Sequence, residues 1–246
     1  MARARATGAR ARKLAHVMRV PTYRRALMHG VMASVEHEHT PLPREPRTVI
    51  DVGANRGQFA LLCARRWPEA HLVCVEPLHK PRATLARALR HHDRLEVRDL
   101  ALADRSGVST MHVSRADDSS SLLPITATQV AVFPGTEEAR RVDVRTARLD
   151  EAIAPGSLER PVLLKLDVQG SELAVLRGAT GLLGEIDSVL VECSFATLYA
   201  GQALADDVLR FLHGQGFRLT NIVNPTTDEH GNVIQADFLF TRSEAT

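Results

Sequence analysis

Thr48-Val49-Ile50-Asp51-Val52-Gly53-Ala54-Asn55-Arg56-Gly57 is the stretch that decides the fold. An apolar run containing one acid passes straight into a glycine turn. Gln58 to Arg66 then reads as a helix, closed by Pro68. A strand with no wet face, feeding a helix through glycines, opens a parallel sheet covered on both sides. The glycines let backbone approach a ligand with no Cβ in the way, and the helix start offers free N–H donors to an anion. The spacing is G-x-x-x-G with an acid before it, not the G-x-G-x-x-G of a dinucleotide site. Asp51 would repel a pyrophosphate but can pair with an ammonium group. S-adenosylmethionine (SAM) carries an ammonium and a carboxylate at its methionine end, so Asp51, Gly53, Asn55 and Gly57 predict SAM rather than a nicotinamide cofactor.

Outward from this unit the pattern repeats. Residues 71–76 form a second apolar run, followed by a helix from Pro81 to Arg90, and 94–98 a third. Residues 108–113 and 142–147 alternate as edge or hairpin strands do. Residues 161–168 form a fourth core run with a helix from Ser171 to Arg177. Residues 188–195 form a fifth, with a helix from Ala203 to Gly214. Residues 217–223 and 236–242 read as a closing hairpin, with Asp228, Gly231 and Asn232 in its turn. The prediction is an α/β, Rossmann-like fold. Its seven-stranded sheet is mostly parallel, ends in a C-terminal antiparallel β-hairpin and carries helices on both faces. Ligands then bind beyond the C-terminal strand ends, where strand order reverses.

The remaining candidate residues sit at those ends. Glu76, just over twenty residues after the turn, suits ribose hydroxyls. Asp99 and Ala101 follow the third strand, where the adenine passes. Asp167 ends the most apolar strand, where a carboxylate is costly unless paired or functional; it faces the place of a methyl acceptor. Glu192 lies inside VLVECSF, either as a second acid beside Asp167 or as a structural partner of Lys165. Glu172 reads as a helix-start residue. Ser119 to Ser121 read as an acceptor loop or an ordinary polar loop. The His37-x-His39 pattern lacks further spaced ligands for a metal and reads as structural. Asn224-Pro225, placed after the sixth strand, is in the wrong position for a nucleobase-methylase motif.

With VIDVGANRGQFA, VEPL, DSSSLL (118–123), LLKLDVQGSELAVLRGA, VECSFATLYAGQ and QADFLF in place, the chain resembles the FkbM-type methyltransferase family from about Gly30 to Arg242. The resemblance implies SAM as cofactor and methylation of hydroxyl oxygens on sugars, glycolipids or polyketide-type products. It puts Asp51, Gly53, Asn55, Gly57 and Glu76 on SAM and Asp167 at the family's acid after strand four. Some members carry Glu where this chain has Gln169, which leaves one carboxylate fewer for a metal.

A hydroxyl acceptor must lose a proton, so a base or a divalent cation is expected. Asp167, with Glu192 as partner, is the candidate base; the same two acids are the candidate Mg2+ ligands. Rival readings are a nicotinamide-dependent oxidoreductase, a non-catalytic SAM-fold binding module and a nucleic-acid methylase. The missing dinucleotide spacing and the final hairpin oppose the first, and the lack of an aromatic-rich basic face opposes the last.

Composition bounds the rest. Its 246 residues suit one core. The three cysteines, Cys63, Cys74 and Cys193, form no C-x-x-C pair, which fits a reducing, cytoplasmic setting. No apolar run reaches membrane-spanning length, and no secretory signal is apparent. Eight of the 31 basic residues precede the first acid, Glu36, so the remainder holds 23 against 29 acids and is net acidic. Residues 1–45 therefore read as a basic helical appendage, suited to peripheral contact with an anionic membrane. Residues 46–246 read as the catalytic domain. The expected partner is a small-molecule, glycan or glycolipid acceptor, with no nucleic acid.

Overall fold

The structure, a computed structural model, describes residues 14–243. Residues 1–13, which hold much of the expected basic arm, lie outside the described residues. Residues 14–19 are helical (α1), followed by α2 (Pro21–Leu27). The main sheet then begins with β1 (Thr48–Val52), α3 (Gln58–Arg66), β2 (His71–Val75), α4 (His79–Ala88) and β3 (Leu95–Arg98). A middle section holds β4 (Ala101–Leu102), β5 (Gly107–Ser114), α5 (Ala127–Val132), β6 (Glu138–Ala147) and α6 (Leu149–Ala152). The chain returns through β7 (Val162–Leu166), α7 (Glu172–Arg177), β8 (Ser188–Ser194), α8 (Ala205–Gly214), β9 (Phe217–Thr227) and β10 (Val233–Arg242).

The seven-stranded sheet has the order β3-β2-β1-β7-β8-β10-β9. β1 pairs in parallel with β2 and with β7, so strand order reverses between β1 and β7. β10 runs antiparallel between β8 and β9. The two faces divide by the alternation of strand side chains. Ile50, Val52, Leu164 and Leu166 pack with residues of α7 and α8, while Val49, Leu72, Cys74 and Leu163 pack with α2 and α3. Asp51 shares the Val49 side of β1. All three cysteines are buried free thiols.

Three expectations need correction. The helix read as Pro81 to Arg90 begins two residues earlier, at His79, with Pro81 in its first turn, where the missing N–H costs nothing. The alternating middle strands pair antiparallel with each other, as one of the two readings had it, but do not edge the main sheet. They form a separate three-stranded sheet in the order β4-β6-β5. Asn224-Pro225 does not follow the sixth strand of the main sheet but lies inside it. β9 runs on to Thr227, and because it is the sheet's outer strand it tolerates the proline.

The described part of the N-terminal segment, from residue 14, packs against the sheet domain. Val17, Tyr23, Ala26, Val31, Ala33 and Leu42 are buried in the α3-side core, and the Ser34 N–H donates to the Gln58 carbonyl at 3.1 Å. Among the described residues no helix is long and apolar enough to cross a membrane.

Candidate active site

The loop after β1 is shaped by contact with β7. Gly53 has φ +76, and a Cβ there would lie 1.9 Å from the Asp167 carbonyl oxygen. Only glycine allows that approach. Asn55 also takes a left-handed φ of 46, and its N–H donates to Glu76 Oε2 at 3.0 Å. The Leu78 N–H donates to Glu76 Oε1 at 2.7 Å. Each Glu76 oxygen therefore keeps a lone pair for a further donor. Burial raises the Glu76 carboxyl to about 7, against the lowering by those two backbone N–H groups. Leu100, Ala101, Leu102, Met111 and Leu122 form an apolar slot beside it. Asp99 is not in the slot: its side chain is 64% exposed and pairs with Arg82 at 2.6 Å.

Deeper, Asp51 is 1% exposed, and neither carboxylate oxygen has a hydrogen-bond partner within 3.5 Å among the described residues. The Lys165 ammonium stands 3.7 Å away and reaches Asp167 Oδ2 at 3.0 Å. Burial raises the Asp51 carboxyl, and Lys165 only partly opposes this. A buried carboxylate whose one cation is shared with Asp167 is costly, and it fits the ammonium of a bound SAM. Asp167 behaves oppositely. Burial alone would raise it, but the Lys165 charge and the Gln169 hydrogen bond hold it below the usual range.

Glu192 does not pair with Lys165, as one sequence reading had it. Gln169 Nε2 donates to Asp167 Oδ1 at 2.8 Å and to Glu192 Oε2 at 3.0 Å, and Gln235 donates to Glu192 Oε1 at 2.6 Å. The Tyr199 hydroxyl donates to Gln169 Oε1 at 2.7 Å, which fixes the amide's orientation. Burial, then the Asp167 charge, push Glu192 well up. The Gln169 amide thus sits between the two acids that a shared cation would need. Among the described residues no group of three or more His, Cys, Asp or Glu is arranged to hold a metal ion. Glu172 accepts from the Val168 and Gly170 N–H groups and so braces the loop that carries Gln169.

A cavity of about 760 Å³ opens on the other side of Asp167. Ser34, Glu36, Asp51, Gln58, Lys165 and Gln235 contribute polar lining, and Phe59 and Phe133 contribute rings. Gly53, Asp118, Asp167 and Gln169 line both this cavity and the apolar slot. They mark the passage between the two. Asp118 has no side-chain partner among the described residues and is raised by burial and by Asp117. Within DSSSLL, Ser119 faces the larger cavity, Ser120 the slot, and Ser121 donates to the Gln169 carbonyl at 2.6 Å.

Sequence reading missed several members of this cluster. Asn224 donates to Asp237 Oδ2 at 2.9 Å and approaches His37 Nδ1 at 3.3 Å. His37 is buried edge-on to Phe59, and burial lowers its pKa. Asp237 stands opposite Glu192 in the β8–β10 register. The one available signal was an acid inside the apolar run ADFLF.

A model of the methyltransferase FkbM domain matches residues 51–219. The chain belongs to the FkbM methyltransferase family. It is a SAM-dependent methyltransferase with the strand order described above. NoeI, a 2-O-methyltransferase of Sinorhizobium fredii, is 27% identical over 78% of this chain and 79% of its own length. The 31-O-demethyl-FK506 methyltransferase FkbM of Streptomyces tacrolimicus is 28% identical over 72% of this chain and 75% of its own. The hexuronic acid methyltransferase AglP of Haloferax volcanii is 32% identical over 58% and 54%. Among solved structures, Aeropyrum pernix fibrillarin with natively bound SAM aligns with a TM-score of 0.48 at 13% identity, over 89% of this chain and 73% of that one.

Proposed function

We propose that this FkbM-family enzyme methylates a hydroxyl oxygen of a small molecule: a sugar, glycolipid or polyketide-type product. The observation that carries this is the pair of cavities meeting at Gly53, Asp118, Asp167 and Gln169, one suited to adenosine and one polar and roomy. A lining of carboxylates, amides and hydroxyls with two phenyl rings suits a polyhydroxylated acceptor. Relatives named for sugar-acid and O-methylation support the same class.

Bound SAM supplies a methyl group on a sulfonium leaving group. In this reading the Asp51 carboxylate holds its ammonium, and the loop from Gly53 through Asn55 to Gly57 carries its carboxylate. Glu76 accepts from the ribose hydroxyls, and Ala101 lines the adenine slot. Asp99 acts indirectly, through Arg82, on the Glu76-Pro77 backbone that Arg82 also grips. Asp167, kept ionised by Lys165, orients the acceptor hydroxyl; alignment of this kind is worth several kcal/mol of barrier. Asp118, rather than the Asp167 read from the sequence, takes the proton as the oxygen–carbon bond forms and the carbon–sulfur bond breaks, because its carboxyl is raised while Lys165 and Gln169 hold Asp167 low. Glu192 positions Asp167 through Gln169. The Gln169 bridge favours this base mechanism over Mg2+. A cytoplasmic site of action fits the three free thiols.

The test is calorimetric titration with S-adenosylhomocysteine, alongside methyl transfer from labelled SAM to a panel of sugars and glycolipids, with and without EDTA. Micromolar binding lost in Asp51→Ala but kept in Asp167→Ala, with transfer indifferent to EDTA, is expected. No binding by the wild type would overturn the cofactor assignment. EDTA-sensitive transfer would overturn the base mechanism.

A further inference from the structure

The α1–α2 segment has an inner and an outer side. His16 Nε2 lies 2.8 Å from Glu38 Oε2, and the Tyr23 hydroxyl donates to Glu38 Oε1 at 2.9 Å. Seven residues apart and sharing one carboxylate, they set a common inward face for both helices. Val17, Tyr23 and Ala26 are buried on that side. Leu14 and Met18 on α1, and Pro21, Arg25 and Met28 on or just after α2, are all exposed, with Val20 extended between the two helices. They make up an outward stripe on the side away from that inward face.

This stripe is unusual in its chemistry. Leu14, Met18, Met28 and Met32 are four of the eight exposed large apolar side chains among the described residues, and Met28 is 83% exposed. Arg25 lies in it, Arg19 and Arg24 flank it, and none of the three has a carboxylate partner among the described residues. No acidic residue precedes Glu36, while Arg10, Arg12 and Lys13 immediately precede the stripe in sequence. An apolar stripe edged by unpaired arginines is the pattern of a helix lying in a membrane interface. A polyphosphate backbone alone would leave the leucine and methionines in water. Directly after the stripe, Gly30 and Met32 line the 760 Å³ cavity.

We propose that the outward face of α1–α2 docks on an anionic lipid bilayer and brings the mouth of the acceptor cavity to its surface. The acceptor class that follows is a lipid-linked one, whose polar head enters the cavity while its chains stay in the bilayer. This refinement rests on the methyl-transfer reading of the cavity; the docking does not.

The experiment is co-sedimentation of the full chain with vesicles of phosphatidylcholine, or of phosphatidylcholine with phosphatidylglycerol. S-adenosylhomocysteine titration runs in parallel as a separate check of fold and cofactor site. Wild type should partition onto the anionic vesicles and not the neutral ones. Arg24→Gln/Arg25→Gln should weaken partitioning more than about tenfold, since each interfacial arginine contributes several-fold. Met18→Ser/Met28→Ser should weaken it comparably, and both pairs should keep cofactor affinity. Equal partitioning with and without phosphatidylglycerol, or indifference to the methionine pair, overturns the proposal. So does binding to a polyuridylate probe that the arginine pair abolishes and the methionine pair leaves intact, because that pattern describes a nucleic-acid surface.

Discussion

Glu76→Gln should change stability in a way that depends on pH. In the folded chain the Glu76 carboxyl titrates near 7, raised by burial from an ordinary 4.5. A carboxyl raised on folding makes the native state bind more protons than the unfolded one. Its contribution is therefore fully present below about 4.5 and is lost as pH climbs to about 7. The total is about 3 kcal/mol, most of which falls between pH 5 and 8. Gln cannot ionise, so this slope vanishes. It also has one acceptor atom for two backbone N–H groups, which costs about 1–3 kcal/mol at any pH. Relative to wild type, the variant should gain about 2–3 kcal/mol between pH 5 and 8, or roughly 5–10 °C in Tm for a chain of this size. Thermal unfolding of both proteins at the two pH values measures this, and other titrating groups cancel in the difference. Affinity for S-adenosylhomocysteine should fall about tenfold or more, with the loss of a charge-assisted ribose contact. A Tm difference that stays constant from pH 5 to 8, with cofactor affinity intact, would refute the assignment of Glu76.

Gly53→Ala should abolish cofactor binding and lower Tm by many degrees, because its Cβ would meet the Asp167 carbonyl at 1.9 Å and φ +76 adds about 1–2 kcal/mol of strain; a normal melt would contradict the backbone geometry. Asp118→Asn should lower kcat about 10²–10⁴-fold with S-adenosylhomocysteine affinity retained. The pH–kcat profile of wild type should lose its rising limb in that variant, whereas lost cofactor affinity would make Asp118 a SAM contact instead. Gln169→Glu removes the amide between Asp167 and Glu192 and sets three acids together. Its Tm should fall at pH 8 and recover when Mg2+ is added, while wild type should not respond; an unresponsive variant would count against the bridging role of the amide.

Much of the fold is local in origin and so was legible. β1 and α3 follow from an uninterrupted apolar run and a glycine turn, and both appear with the predicted bounds. The small sheet was not legible as a separate unit. β6 is long, charged and largely exposed, and β4 has two residues, so what they pair with is decided by distant chain, not by pattern. The cofactor loop was readable for the same local reason as β1. The acceptor side was not, because Asp118, Gln169, Tyr199 and Gln235 come together from four separate segments. His37 carried no signal of its neighbours, since its partners Asn224 and Asp237 lie about two hundred residues away.

The place of β10 in the sheet has a consequence during synthesis. Made after both of its neighbours, it lies between β8 and β9 rather than at an edge. While the ribosome still holds residues 233–242, β8 has an open edge and β9 has nothing to pair with. The nascent chain must therefore wait with apolar Val189, Leu190 and Val191 beside an unfilled gap. Chaperone engagement should peak in that interval, and emergence of β10 from the ribosome should trigger closure of the sheet in a single late step.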